Sequence, residues 1–265
     1  MTPIAVHAFN PGPITGSGNW TWLVRGAVTT LIDAGTGDPR HLDAVAAALD
    51  GATLAQILVT HSHSDHAAGA PALATRFPRA RFLKMPWPDR DAKWGVPFAA
   101  LADGDQIAVG DEVVSAVHTP GHAPDHLCFW HEATGTLFGG DLAVQGTTVW
   151  IPTSLQGDLT DYLASLERVI GMAPARIYPA HGAVIDDPGT LLRGYLAHRH
   201  EREQQVLAAL REGSTGPDAI VEHIYRGIKE RLIPMARESV IAQLLKLERD
   251  GRVRRDGEAW HIIDP

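Results

Sequence analysis

One cysteine, Cys128, is all the 265-residue chain has, so no disulfide forms within it. No apolar run approaches the roughly 18 residues that cross a bilayer. The first residues, Met1 to His7, hold neither a basic segment nor a long apolar one, so no secretory signal is read there. Basic residues are also short: 23 Lys and Arg stand against 31 Asp and Glu, a formal charge of −8. That balance argues against a broad nucleic-acid-binding face. Together these absences lead to the expectation of a cytoplasmic protein that binds no membrane. Cys128 lies between Leu127 and Phe129 and reads as a buried strand thiol rather than a nucleophile.

Histidine, by contrast, is plentiful, with 14 in the chain. The densest run is Thr60-His61-Ser62-His63-Ser64-Asp65-His66, directly after the apolar Ile57-Leu58-Val59. A strand ending in such a turn splays three imidazoles and a carboxylate into one cleft. Imidazole and carboxylate suit Zn²⁺ and neighbouring first-row metals such as Mn²⁺ or Fe²⁺. Three further segments each place one His or Asp just past a strand, beside Gly or Pro. They are Thr119-Pro120-Gly121-His122, Phe138-Gly139-Gly140-Asp141 and Ile177-Tyr178-Pro179-Ala180-His181-Gly182. From the residues alone, His126 competes with His122 as a ligand, and Asp33 reads either as a turn cap or as a support for the histidine turn.

The first half of the chain reads as short strands punctuated by Gly and Pro: 21–24, 30–32, 57–59, 113–117, 127–130 and 136–138. Helices are expected over 41–49, 68–77 and 159–171. Strands with covering helices imply a layered α/β sandwich. From about residue 190 strand signals cease, and 191–212 reads as one polar helix. The breaker Gly213 to Pro217 precedes helices over 218–226 and 234–250. A hairpin follows about Asp256-Gly257. Helices closed by a hairpin read as a small winged-helix module. The expected domains are 1–211, with 190–211 a connecting helix, and 212–265.

His-x-His-x-Asp-His, then Gly-His, then Gly-Asp, then Ala-His-Gly, in that order, resembles the metallo-β-lactamase superfamily. The resemblance implies a four-layer αββα sandwich and a binuclear zinc hydrolase. It assigns His61, His63 and His122 to one Zn²⁺ and Asp65, His66 and His181 to a second. Asp141 bridges, and Asp33 supports the turn. It favours His122 over His126. Asp65 and Asp141 are then the residues beside a bridging hydroxide, expected to attack an ester, thioester or phosphodiester. Asp141, and a cysteine far from the ligand turns, set the chain apart from true β-lactamases.

Asn10 to Thr15, Gly146 to Val149, Asp161 to Leu166 and His198 to Gln205 look like the β-lactamase-like protein 2 subgroup, which adds a C-terminal winged helix. Its animal member is a single-strand RNA endonuclease, and related fungal proteins are thioesterases. One departure is Asn19-Trp20-Thr21-Trp22, where Trp20 stands in place of an amide expected near the site mouth. Trp20, Trp22, Trp87, Trp94 and Trp150 are candidate pocket aromatics. They favour a small-molecule or acyl substrate over nucleic acid. The tail 212–265 has nine Lys and Arg against ten Asp and Glu, which gives a DNA-binding regulator little support. It is expected to shape substrate access or to form a homodimer. Arg252, Arg254 and Arg255 read as a solvated hairpin edge or a phosphate contact.

Overall fold

Two sheets and three apolar interlayers follow from the period-two pattern of the strands. A computed structural model describes residues 1–13 and 15–263. Ile14, within one of the subgroup segments, and the last two residues of the expected tail lie outside the described residues. The first sheet has the order β1 (Ile4–His7), β2 (Trp20–Val24), β3 (Thr30–Ile32), β4 (Gln56–Leu58), β5 (Arg81–Lys84) and β6 (Phe98–Ala100). The second contains β7 (Gln106–Val109), β8 (Glu112–His118), β9 (Leu127–His131), β10 (Thr136–Gly140) and β11 (Arg176–Pro179), in reverse order.

Neighbouring residues on one strand enter different interlayers, as strand geometry requires. Ile32, Leu58, Phe129 and Phe138 fill the space between the sheets. Leu31 and Ile57 face outward onto Val45 and Leu49 of α1 (Pro39–Leu49) and Leu73 of α3 (Ala70–Arg76), which follows the single turn α2 (Ser64–Ala67). Cys128 and Leu137 face the opposite way. They meet Leu166 and Val169 of α5 (Leu159–Met172) and Leu192 and Tyr195 of α6 (Pro188–Arg211), which follow the short α4 (Pro88–Asp91) in the chain. The layers are therefore helix, sheet, sheet, helix.

The tail folds about α7 (Pro217–Ile224), α8 (Ile233–Arg249) and the hairpin β12 (Val253–Asp256) with β13 (Ala259–Ile262). The last turns of α6, including Val206 and Leu210, enter the core of this unit beside Val240, Leu244 and Trp260. One helix thus belongs to both cores. Ala242 of α8 is buried in the core beneath α5 and α6, so the tail is packed onto the sandwich. Four strands escape the sequence reading: β1, β5 and β7 are short and mixed in polarity, and β6 is only three residues long.

Topology decides where the ligands gather. β3 and β4 run parallel in the first sheet, and β10 and β11 run parallel in the second. β8 is antiparallel to β9, which is antiparallel to β10, so β8 runs with β10 and β11. Every loop that carries an expected ligand leaves the carboxyl end of one of these strands.

Candidate metal centre

The turn after β4 is held open by buried bonds. The Thr60 N–H donates to Asp33 Oδ1 at 2.8 Å, and the Thr60 hydroxyl donates to the same carboxylate at 2.9 Å. His66 Nδ1 donates to Asp33 Oδ2 at 2.8 Å, which turns Nε2 toward the cleft. Asp33 therefore supports the turn and does not merely cap its own loop. It sits at a φ of 66°, a left-handed conformation for a non-glycine residue.

Three imidazole nitrogens converge. His63 Nδ1 lies 3.0 Å from His61 Nε2 and 2.8 Å from His122 Nε2. His122 Nδ1 donates to the Trp150 carbonyl at 2.8 Å, so its Nε2 carries the free lone pair. Burial keeps the His61 ring well below the ordinary imidazole range and His63 at about 3, so both are neutral. Facing lone pairs at these distances repel unless a proton or a metal cation lies among them.

A second group stands beside the first. The Asp65 Oδ2 atom is 3.5 Å from His66 Nε2 and 3.4 Å from His181 Nε2. Asp141 reaches both groups. Its Oδ2 is 3.2 Å from His122 Nε2, while Oδ1 is 3.4 Å from His66 Nε2 and 3.3 Å from His181 Nε2. Asp141 Oδ1 is buried with no hydrogen-bond donor. Burial alone would lower His66 and His181, but the facing carboxylates, Asp141 first, hold His66 well above its usual value and His181 at about 10. Burial likewise favours the neutral forms of Asp141 and Asp65, yet their histidine neighbours keep both carboxylates well below their ordinary range. Groups that hold protons this firmly would hold a cation in their place.

The donor set fits metal. His61, His63 and His122 form one cluster whose ligand atoms lie within 4.8 Å of one another; Asp65, His66 and His181 form another. His61, His66 and Asp141 link them. All seven sequence-selected residues are together. His126 is excluded as a cleft ligand, because its Nε2 accepts the Asp141 backbone N–H at 3.0 Å and its Nδ1 donates to Thr119 Oγ1 at 2.8 Å. Buried Cys128, its thiol pushed up by burial to about 12, takes no part.

Several supports escaped the sequence reading. Lys84 Nζ is fully buried and bonds Asp91 at 2.7 Å and Asp125 at 2.9 Å. Those carboxylates hold Ser62, between the two histidines. Asp125 accepts its N–H at 2.9 Å and Asp91 its hydroxyl at 2.5 Å. The Asn19 carboxamide donates to Asp65 Oδ2 at 3.1 Å. An amide is thus present, buried beside Asp65, one residue before Trp20, whose ring instead stands edge-on to His7.

Of the five candidate tryptophans, only Trp150 lines the cleft beside His122, Asp141 and His181. Trp22 is buried between the sheets and donates to the Pro179 carbonyl, and Trp94 packs on the outer core of the first sheet. Trp87 is buried at the N-cap of α4.

Gly121, which sets the direction of His122, has a φ of 130°. A β-carbon there would strike the Tyr162 backbone in α5. Gly121→Ala is expected to cost about 2–4 kcal/mol and to displace His122. A urea midpoint unchanged from the parent would contradict that placement.

The family model of the metallo-beta-lactamase superfamily matches residues 13–181, and that of the beta-lactamase associated winged helix domain matches 216–260. A beta-lactamase-like protein 2 homolog of Drosophila melanogaster is 33% identical over 282 residues, covering 99% of this chain and 94% of the fly protein. An atrochrysone carboxyl ACP thioesterase of Aspergillus chevalieri is 34% identical, with 99% and 88% covered. A crystal structure of a metallo-beta-lactamase family protein from Thermus thermophilus has a TM-score of 0.79 at 22% identity, covering 98% of each chain. Sequence order, fold and site geometry agree with these matches: the chain belongs to the metallo-beta-lactamase superfamily and carries the winged helix domain associated with it.

Proposed function

We propose that the chain is a binuclear metal-dependent hydrolase of acyl substrates, a thioester or ester, with two Zn²⁺ the expected ions. His61, His63 and His122 would hold one ion, Asp65, His66 and His181 the other, and Asp141 both. Bound there, the cations would supply water activation at neutral pH and polarise the scissile carbonyl. Asp65 Oδ2 and Asp141 Oδ1, both beside His66 and His181 Nε2, would orient the reacting water by taking its hydrogen bonds. Asn19 steadies Asp65, and the bond from the His126 side fixes the Asp141 backbone.

One observation carries the choice of carbon over phosphorus. The cleft, about 190 Å³, is lined beyond His122, Asp141 and His181 by Pro13, Ala143, Val144, Val149, Trp150 and Met235, with two threonines and no Lys or Arg. A phosphodiester backbone calls for cations or a dense set of donors along its path. An apolar wall suits an acyl chain. The thioesterase name borne by the Aspergillus relative supports the same reading.

A DNA-reading regulator finds no support in α8. Each of the three basic residues of α8 is paired. Arg237 bonds Asp218, Lys246 bonds Glu203 and Asp250, and Arg249 bonds Asp158. Glu238 of the same helix accepts from Thr153 and Ser154 on the sandwich. Arg252 at the hairpin is also paired, with Glu203.

The zinc-loaded chain should be assayed side by side on a thioester, a lactone, a chromogenic phosphodiester, single-stranded RNA and a cephalosporin. Turnover is expected on the thioester and not on RNA. RNA cleavage without thioester hydrolysis would replace this reading by a nuclease.

A further inference from the structure

A second cavity, about 420 Å³, lies where the sandwich meets the winged helix. It shares Thr147, Thr148, Val149, Trp150 and Met235 with the metal cleft, so the two adjoin. The segment 198–205, which the metal site leaves unused, contributes His198, Arg199 and Arg202 to it.

Its charge is one-sided. Arg199, Arg202 and His198 line it, and no Asp or Glu does. Neither arginine has a carboxylate within ion-pair distance among the described residues. Arg199 is 6% exposed. One of its terminal nitrogens donates to the Val149 carbonyl, and its guanidinium lies 5.7 Å from the Tyr162 ring, but its Nε–H has no acceptor. A buried guanidinium without a counter-charge is costly and calls for an anion. Two more buried polar atoms at this cavity lack partners: Gln243 Oε1, on a residue 3% exposed, and Trp150 Nε1. Burial, and then the charges of Arg202 and Arg199, hold His198 below its ordinary value. The remaining wall is largely aliphatic, with Val206, Ile228, Leu232 and Val240.

We propose that this junction cavity binds an organic carboxylate on an apolar body, and that this body is the distal part of the substrate. The carboxylate would lie against Arg199 and Arg202, which can present planar donor pairs to it. The chain would pass the Thr147 to Trp150 wall toward the metal cleft. At about 420 Å³ the cavity falls within the ordinary range for small-molecule sites, whereas the metal cleft alone is smaller than that range. Occupancy of the cavity stands by itself; only the placing of the scissile bond rests on the hydrolase reading.

The test is calorimetric titration of the full chain, as purified, with octanoate and with octanamide, which differ in charge and not in length. Octanoate is expected to bind roughly tenfold tighter or better, and Arg202→Gln to erase that preference. Arg202 is only partly buried and stacks 4.7 Å from the Tyr225 ring, so its loss should leave the fold intact, as an unchanged urea midpoint would show. Equal affinity for the two probes, no binding of either, or an undiminished preference in Arg202→Gln would overturn the proposal.

A kinetic arm separates the two readings. The zinc-loaded chain should prefer a monothioester of octanedioic acid over the thioester of octanoic acid, and Arg202→Gln should lose that preference. Selective octanoate binding with neither thioester hydrolysed would remove the hydrolase reading and keep the cavity. Equal hydrolysis of both, with no selectivity in calorimetry, would do the reverse.

Discussion

Asp141→Ala is expected to lower turnover by roughly a thousandfold or more, since metal-centred charge stabilisation supplies several kcal/mol of the barrier reduction. The reason is position. Asp141 is the one carboxylate whose two oxygens face different groups, Oδ2 toward His122 and Oδ1 toward His66 and His181. Removing it takes a ligand from both proposed ions at once. Metal content measured by elemental analysis should fall in parallel, from two ions per chain to one or none. The backbone should hold, because the bond from the Asp141 N–H to His126 does not involve the lost side chain. His223→Ala serves as the control: its nearest charged partner is Glu212 at 3.8 Å, in the tail, and neither activity nor metal should change. An Asp141→Ala protein with full turnover and low metal would remove the assigned role altogether.

The seven clustered side chains were legible because their chemistry is uncommon and their spacing tight. Nothing in ordinary packing asks for His61, His63, Asp65 and His66 within six positions. Asp33 was half legible. Its place after a strand suggested a turn, but only the fold shows that the carboxylate reaches Thr60 and His66 across the sheet. Apolar character along 30–32 and 127–130 revealed strands, since residues there face two separate cores. In β5 it failed, because Arg81 and Lys84 bracket the strand with charge although Lys84 ends fully buried. The tryptophans misled for a related reason. An aromatic side chain serves a core as readily as a pocket, and composition cannot say which face of the strand it takes. Arg199 stood in a quoted segment with no function attached. Its meaning depends on an absence of carboxylates around it in space, which no stretch of chain displays.

Lys84→Met should be the most destabilising of the substitutions considered, by about 3–5 kcal/mol, because it leaves buried carboxylates without their counter-charge. Asp125 is 2% exposed and Asp91 is largely covered. Burial already raises the Asp125 pKa above its ordinary value, with Lys84 pulling it back. Loss of the lysine would raise it further. A carboxyl whose folded pKa lies above its unfolded one stabilises the fold at pH below the unfolded value, and that stability is lost as pH rises through the folded value. The drop in urea midpoint for Lys84→Met should therefore be larger at pH 8 than at pH 5. Adding Asp125→Asn should recover part of it, since the amide oxygen still accepts the Ser62 N–H with no charge to bury. The same carboxylates fix Ser62 between His61 and His63, so the single variant should also bind zinc roughly 10–100-fold more weakly, the usual cost of loosening groups behind a ligand. A midpoint equal to the parent's at both pH values would show that Lys84 is not the keystone of the histidine turn.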